Sequence, residues 1–225
     1  MKLIFGNRNY SSWSLRAWLV LRHFGIPFEE DFVQLSGPGW RDSLRRKSPS
    51  GKVPVLVDGD VVVPETIAII EYLNDKYPAK LIWPGGRVER AMARSISAEM
   101  HGGFSTLRDF APMNLRASHP GRIDLDVIGA DLRRIEEIWG DYTADSGGPF
   151  LFGKFTAADA MFAPVATRIR TYALPVSEAA ADYVDAIYGL PAFAEWHAAA
   201  LKETWVLERD EIDVVQGLKP KSDDS

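Results

Sequence analysis

The chain contains no cysteine. That absence excludes a disulfide framework, a thiolate zinc site and a cysteine nucleophile of the protein's own. Any thiol chemistry must therefore use a thiol carried in by a ligand. Long apolar runs are missing too: nowhere do about 18 apolar residues follow one another, so no membrane span is expected. The apolar run at residues 3–5 is far too short for a secretory signal, which points to a cytoplasmic protein. Positive charge is not in excess. The formal net charge is −5, which argues against a nucleic-acid partner, since nucleic acid demands a basic footprint. Histidine is scarce, and His23, His101, His119 and His197 show no ligand spacing, so no metal is expected. Phosphate-cradling loops of the G-x-G-x-x-G or P-loop type do not occur.

What remains is an ordinary soluble composition, 46% apolar and 25% charged, over 225 residues. That length allows one large domain or two small ones with a sizeable core. Residues 3–5 read as a short buried strand. A helix over 14–24 follows, with Leu15, Trp18 and Leu19 at helical spacing, and Gly25-Ile26-Pro27 stops it. A second strand is expected over 28–35, carried by Phe28, Phe32 and Leu35. Strand, helix and strand make a right-handed βαβ unit with parallel strands. A short polar helix over 42–47 comes next.

The most informative stretch runs from Pro49 to Leu73. Val53-Pro54 leads into two apolar runs, 55–57 and 61–63, separated by the turn pair Asp58-Gly59, a strong hairpin signal. A proline entering a strand belongs at an edge, a bulge or a cis turn, and a cis turn would offer the backbone of Val53 to a ligand. Glu65 and Thr66 stand where an apolar helix over 67–73 begins, beside unpaired N–H groups and a positive dipole end. Residues 78–86 read as a linker. Beyond it only helices are expected: 87–108 with Met92, Ile96, Met100 and Leu107 on one stripe, then 124–142 with Leu125, Ile128, Leu132, Ile135 and Trp139, then 157–172, 178–188 and 192–202. Thr156 and Asp159 form a T-x-x-D capping box before the third of these. Residues 217–225 are polar and expected to be a disordered tail.

The V-P pair, the hairpin, the Glu65-Thr66 pair and the capping box, in that order, resemble the soluble glutathione transferases, nearest to the serine-type and zeta-like classes. The resemblance spans roughly residues 1–205. It implies an α/β thioredoxin-like N-terminal domain (1–80), a linker (81–86) and an all-α C-terminal domain (87–216). It also implies a homodimer acting on glutathione, as co-substrate, and a small electrophile. Val53 and Pro54 would meet the cysteinyl part of glutathione and Glu65 and Thr66 its γ-glutamyl end, with Lys52 placed to meet the glycyl carboxylate. Gln34 and Trp40 are further wall residues. The thiolate donor belongs in the first strand–helix loop. Counting back from Arg16 favours Ser11, with Ser12 beside it and Tyr10 as competitor. Where zeta enzymes carry cysteine this chain has Trp13, a departure that bears on zeta-type isomerisation. The second substrate is expected against Tyr10, Trp13, Met100, Phe104 and Arg108. Three functions share this site: conjugation, glutathione-dependent isomerisation or dehalogenation, and ligand binding without turnover.

Overall fold

The structure is a computed structural model that describes residues 1–215; the tail expected at 217–225 lies outside them. Four short strands form one mixed sheet in the order β2-β1-β3-β4. Strand β1 (Lys2–Phe5) runs parallel to β2 (Glu29–Phe32) and antiparallel to β3 (Val55–Asp58), and β4 (Val61–Pro64) returns antiparallel beside β3. The βαβ unit is thus as expected, but β2 is shorter than 28–35. It is an edge strand with its first two residues exposed, and the chain leaves the sheet after Phe32, so that Val33 and Leu35 are buried beyond its end in one cluster with Ile4 and Val55. The hairpin loop is Gly59-Asp60, one residue beyond the expected pair, because Asp58 still pairs with Val61. Gly59 supplies the left-handed φ of 61° that the loop demands.

Helix α1 (Ser12–His23) is buried on almost every side. It lies between the sheet and α7 (Ala157–Tyr172), and Arg16 Nε donates to the Met161 carbonyl at 2.8 Å across that contact. Alanines at 157, 158, 160, 163 and 166 keep α7 slim enough to be enclosed along its whole length except at Arg170. Helices α2 (Trp40–Lys47) and α3 (Thr66–Lys76) complete the α/β part. The expected linker is not loose. Ile82 and Trp83 are buried, and the Ala157 N–H donates to the Ile82 carbonyl at 2.8 Å.

The capping box forms: the Thr156 N–H donates to Asp159 Oδ2 at 2.8 Å, and Thr156 Oγ1 accepts from Ala158 N at 3.3 Å. Asp159 also accepts from Leu151 N at 3.0 Å and Tyr183 Oη at 3.1 Å. Burial pushes its carboxyl up to about 6 against these bonds.

The expected single helix over 87–108 is two helices, α4 (Arg87–Gly102) and α5 (Ser105–Phe110). Two glycines give the chain its exit, and Phe104 turns left-handed at φ 55°. Gly103 passes so close to α4 that a Cβ there would meet the Glu99 carbonyl oxygen at 2.8 Å. The buried stripe of α4 is Ala93, Ile96, Ser97 and Met100; Met92 is exposed. In α6 (Leu125–Ser146) the stripe is as expected except that Leu125 is exposed. Helices α8 (Glu178–Tyr188) and α9 (Pro191–Leu201) follow. A final segment was not anticipated: a 3₁₀ turn at Glu208–Asp210 and the short α10 (Ile212–Val215) fold back toward α1. Among the described residues, no helix is long and apolar enough to cross a membrane, and no cluster of three or more metal-ligating side chains forms.

Candidate active site

A cleft of about 420 Å³ opens at the start of α1. Its α/β wall holds Tyr10, Ser11, Ser12, Trp13, Trp40, Lys52 and Val53. The Val53–Pro54 bond is cis, as expected. Among the described residues neither the N–H nor the C=O of Val53 has a hydrogen-bond partner, leaving one donor and one acceptor for an extended ligand.

The three hydroxyls weighed from sequence are not equivalent. Ser11 is the N-cap of α1: its Oγ accepts from Ser14 N at 3.3 Å and donates to Ser14 Oγ at 2.8 Å, which in turn accepts from Gly6 N at 3.1 Å. Ser12 Oγ and the Trp13 N–H have no partner among the described residues. They are the uncommitted donors at the positive end of the helix. Tyr10 Oη is engaged elsewhere. It donates to Glu211 and accepts from Arg116 Nη2 at 3.2 Å. Burial, then Glu211, holds its phenol above the ordinary tyrosine value.

Glu65 caps α3 from an unusual backbone conformation, φ 86°, accepting the Ile67 N–H at 3.1 Å. Its exposed carboxylate lies open to a ligand, but Thr66 does not. Thr66 is fully buried and its hydroxyl donates to the Trp13 carbonyl at 3.2 Å, because a hydroxyl buried between two helices must find an acceptor. The hydroxyl thus ties α3 to α1, while among the described residues the Thr66 N–H at the helix start has no hydrogen-bond partner. Gln34 turns to Ser36 Oγ at 3.1 Å and does not line the cleft.

The opposite wall is more basic than expected. Arg108 lines it, as anticipated, but Met100 and Phe104 do not; both are buried in the core after the break in α4. Their places are taken by Pro112, Met113, Arg168, Leu207, Arg209 and Asp210. Arg168 is anchored by Nε to the Ala111 carbonyl at 2.7 Å and by Nη1 to the Pro164 carbonyl at 3.1 Å, leaving Nη2 without a partner among the described residues. Burial, reinforced by Arg108, lowers it to about 10. Burial, then Arg168 and Arg108, holds Arg16 far below the ordinary arginine value. The Arg16 guanidinium lies 4.3 Å from the Trp13 ring centre and that of Arg108 5.6 Å. The field at the start of α1 is therefore positive.

Arg168 had a sequence signal: a charge that closes A-A-D-A-M-F-A-P-V-A-T-R, a stretch otherwise suited, Asp159 apart, to complete burial. Arg209 and Asp210 had none, since only the fold-back of the C-terminal segment brings them here.

The family model described as "Glutathione S-transferase, N-terminal domain" matches residues 10–76, and its C-terminal counterpart matches residues 100–199. A probable maleylacetoacetate isomerase of Caenorhabditis elegans is 32% identical over 108 residues, 48% of this chain and 50% of that protein. A dichloromethane dehalogenase of Methylorubrum extorquens is 44% identical over 69 residues, 29% of this chain and 24% of that one. The chain spans about half the length of the isomerase relatives it matches. In fold it is similar to a glutathione transferase homolog of Burkholderia gl BGR1 solved with bound glutathione (TM-score 0.70, 23% identity, covering 90% of this chain and 98% of that one).

Proposed function

Because this chain belongs to the glutathione S-transferase family, we propose that it is an enzyme that activates glutathione as a thiolate for attack on a small, acidic electrophile. The observation that carries this reading is the junction of two features in one cleft. Uncommitted donors at the start of α1 lie across from a wall bearing Arg108, Arg168 and Arg209. The first suits a sulfur anion, and the second suits a carboxylate on the partner molecule.

A free thiol with a pKa of about 8.5 is only a few per cent ionised at neutral pH. Lowering it by two units takes about 2.7 kcal/mol. One hydroxyl hydrogen bond to a charged sulfur contributes about 1.5–3 kcal/mol, and the helix start about 0.3–1 kcal/mol more. The Ser11–Ser12 pair supplies that hydroxyl: Ser12 can donate without breaking anything, whereas Ser11 must first release Ser14. Val53 pairs with the cysteinyl backbone, Glu65 takes the γ-glutamyl ammonium and Lys52 meets the glycyl carboxylate. The electrophile lies between Trp13, Arg108 and Arg168.

Isomerisation of an unsaturated acid is the specific alternative to conjugation, favoured by the basic wall and by the isomerase relatives. In that case sulfur adds to a conjugated double bond, the carbon–carbon bond rotates, and the thiolate leaves unchanged. We extend the proposal to a homodimer built on the outer faces of α3 and α4, working in the cytoplasm, where glutathione is abundant and a protein without disulfides loses nothing.

The test is the thiol pKa of bound glutathione, read from thiolate absorbance, in the parent and in Ser11→Ala, Ser12→Ala and Tyr10→Phe. The parent should show a depressed value. Ser12→Ala should raise it by about one to two units with little change in melting temperature. Ser11→Ala should in addition cost about 0.5–2 kcal/mol of stability through loss of the cap, and Tyr10→Phe should leave the thiol alone. A parent in which bound glutathione titrates like the free thiol overturns the enzyme and leaves a binding protein.

A further inference from the structure

His101 attracted no role by spacing, yet it stands where the helical part meets the start of α1. Its Nε2 lies 3.7 Å from Glu65 Oε2. Its ring meets Trp13 edge-on with centres 5.0 Å apart. Its carbonyl accepts from Arg108 Nη1 at 3.3 Å. Its Nδ1 is buried and has no hydrogen-bond partner among the described residues. Backbone and ring are thus fixed, with one nitrogen aimed at the carboxylate and the other enclosed.

We propose that His101 makes capture of the γ-glutamyl ammonium at Glu65 depend on protonation: the neutral imidazole leaves the carboxylate to the ligand, and the imidazolium occupies it and repels the ammonium. This rests on the reading that Glu65 receives the γ-glutamyl end of glutathione. The neutral ring can carry its single proton on Nε2, toward Glu65, and leave a bare Nδ1 in the enclosed position. A second proton has to go to Nδ1, where no acceptor waits. The cation is then sustained chiefly by Glu65.

The other charges around the ring do not replace that support. From α3, Glu71 is already held by Arg94 in two bonds of 2.9 and 2.7 Å. From α1 and α5, Arg16 and Arg108 add positive field. An ammonium that neutralises Glu65 therefore removes the support for the imidazolium, and binding releases a proton. By linkage, protonation weakens binding by the same factor.

The probe is S-methylglutathione, whose sulfur has no proton to lose. Its binding is measured by calorimetry in two buffers of different ionisation enthalpy, over the range in which imidazoles titrate, about pH 5.5 to 8. The parent should release a fraction of a proton, and its affinity should fall about two- to fivefold toward the acid end, the size expected of a half-exposed ion pair. His101→Gln keeps a polar head without a titrating charge. It should hold the alkaline affinity within about twofold and lose both the proton release and the slope; His101→Asn serves as a second variant. Binding without proton release in the parent, or a slope that persists in a folded His101 variant, overturns the proposal. Failure of S-methylglutathione to bind even at the alkaline end overturns the assignment of Glu65 itself, and this proposal with it.

Discussion

Single residues at this site act through what they are already bonded to. Ser11 and Ser12 are adjacent and chemically identical, yet one closes a helix end and the other is left free, so their substitution should separate stability from chemistry. Asp159 shows the same logic away from the cleft. It accepts from Leu151 N, Thr156 N, Thr156 Oγ1 and Tyr183 Oη, and Asp159→Ala would leave these buried donors without an acceptor. We expect a loss of about 2–5 kcal/mol, larger than the roughly 0.5–2 kcal/mol of an exposed cap, read from urea midpoints. Its carboxyl binds a proton more tightly in the folded than in the unfolded chain. Between 3.8 and about 6 the folded state therefore holds more protons, and stability should fall as pH rises through that window. The variant should lack this component. Equal midpoints for variant and parent, or an unchanged pH slope, would count against it.

Among elements, the break between α4 and α5 decides what faces the cleft. A continuous helix would have put Met100, Phe104 and Leu107 on one face beside Arg108. The left-handed Phe104 instead sends Phe104 and Leu107 into the core and turns Arg108 back, so that its Nη1 donates to the Met100 and His101 carbonyls at 3.2 and 3.3 Å. Gly103→Ala tests this directly, because the new Cβ meets the Glu99 carbonyl, a backbone atom that cannot swing aside. The variant should lose about 1–3 kcal/mol, the usual cost of overpacking. Turnover of an acidic electrophile should weaken more than glutathione binding. Unchanged kinetics with both substrates would show that the break does not set the position of Arg108.

At the scale of the molecule, both parts of the chain share one core. Leu3, Phe5 and Trp18 belong to the same cluster as Met161, Phe162 and Trp196. The surface left over includes Val88 and Met92 on α4, 65% and 42% exposed. The proposed homodimer would cover them. Sedimentation at micromolar concentration should then give twice the mass of the chain, and Met92→Glu should give the single mass by placing a charge in an apolar contact. A monomeric parent would refute the dimer, and the cleft would still stand as described.

The elements that could be read from the chain are those whose cause is local. The hairpin, the cis-proline entry to β3, the capping box at Thr156 and Asp159 and the ends of α7 and α8 each follow from residues a few positions apart, whose sterics and hydrogen bonds act at short range. Helical periodicity fixed most of the buried stripes for the same reason. It failed at Leu125, the first residue of α6, and at Met92, which falls just beside the buried stripe of Ala93, Ile96, Ser97 and Met100. What the tertiary structure alone decided came from distant segments. Thr66 spends its hydroxyl on α1, Tyr10 is held by Glu211 201 residues away, and Arg168 and Arg209 reach the cleft because α7 and the C-terminal segment fold against it. His101 gained its place beside Glu65 in the same way. Which of several plausible groups remains free for a ligand depends on what the rest of the chain has already bonded, and no local pattern records that.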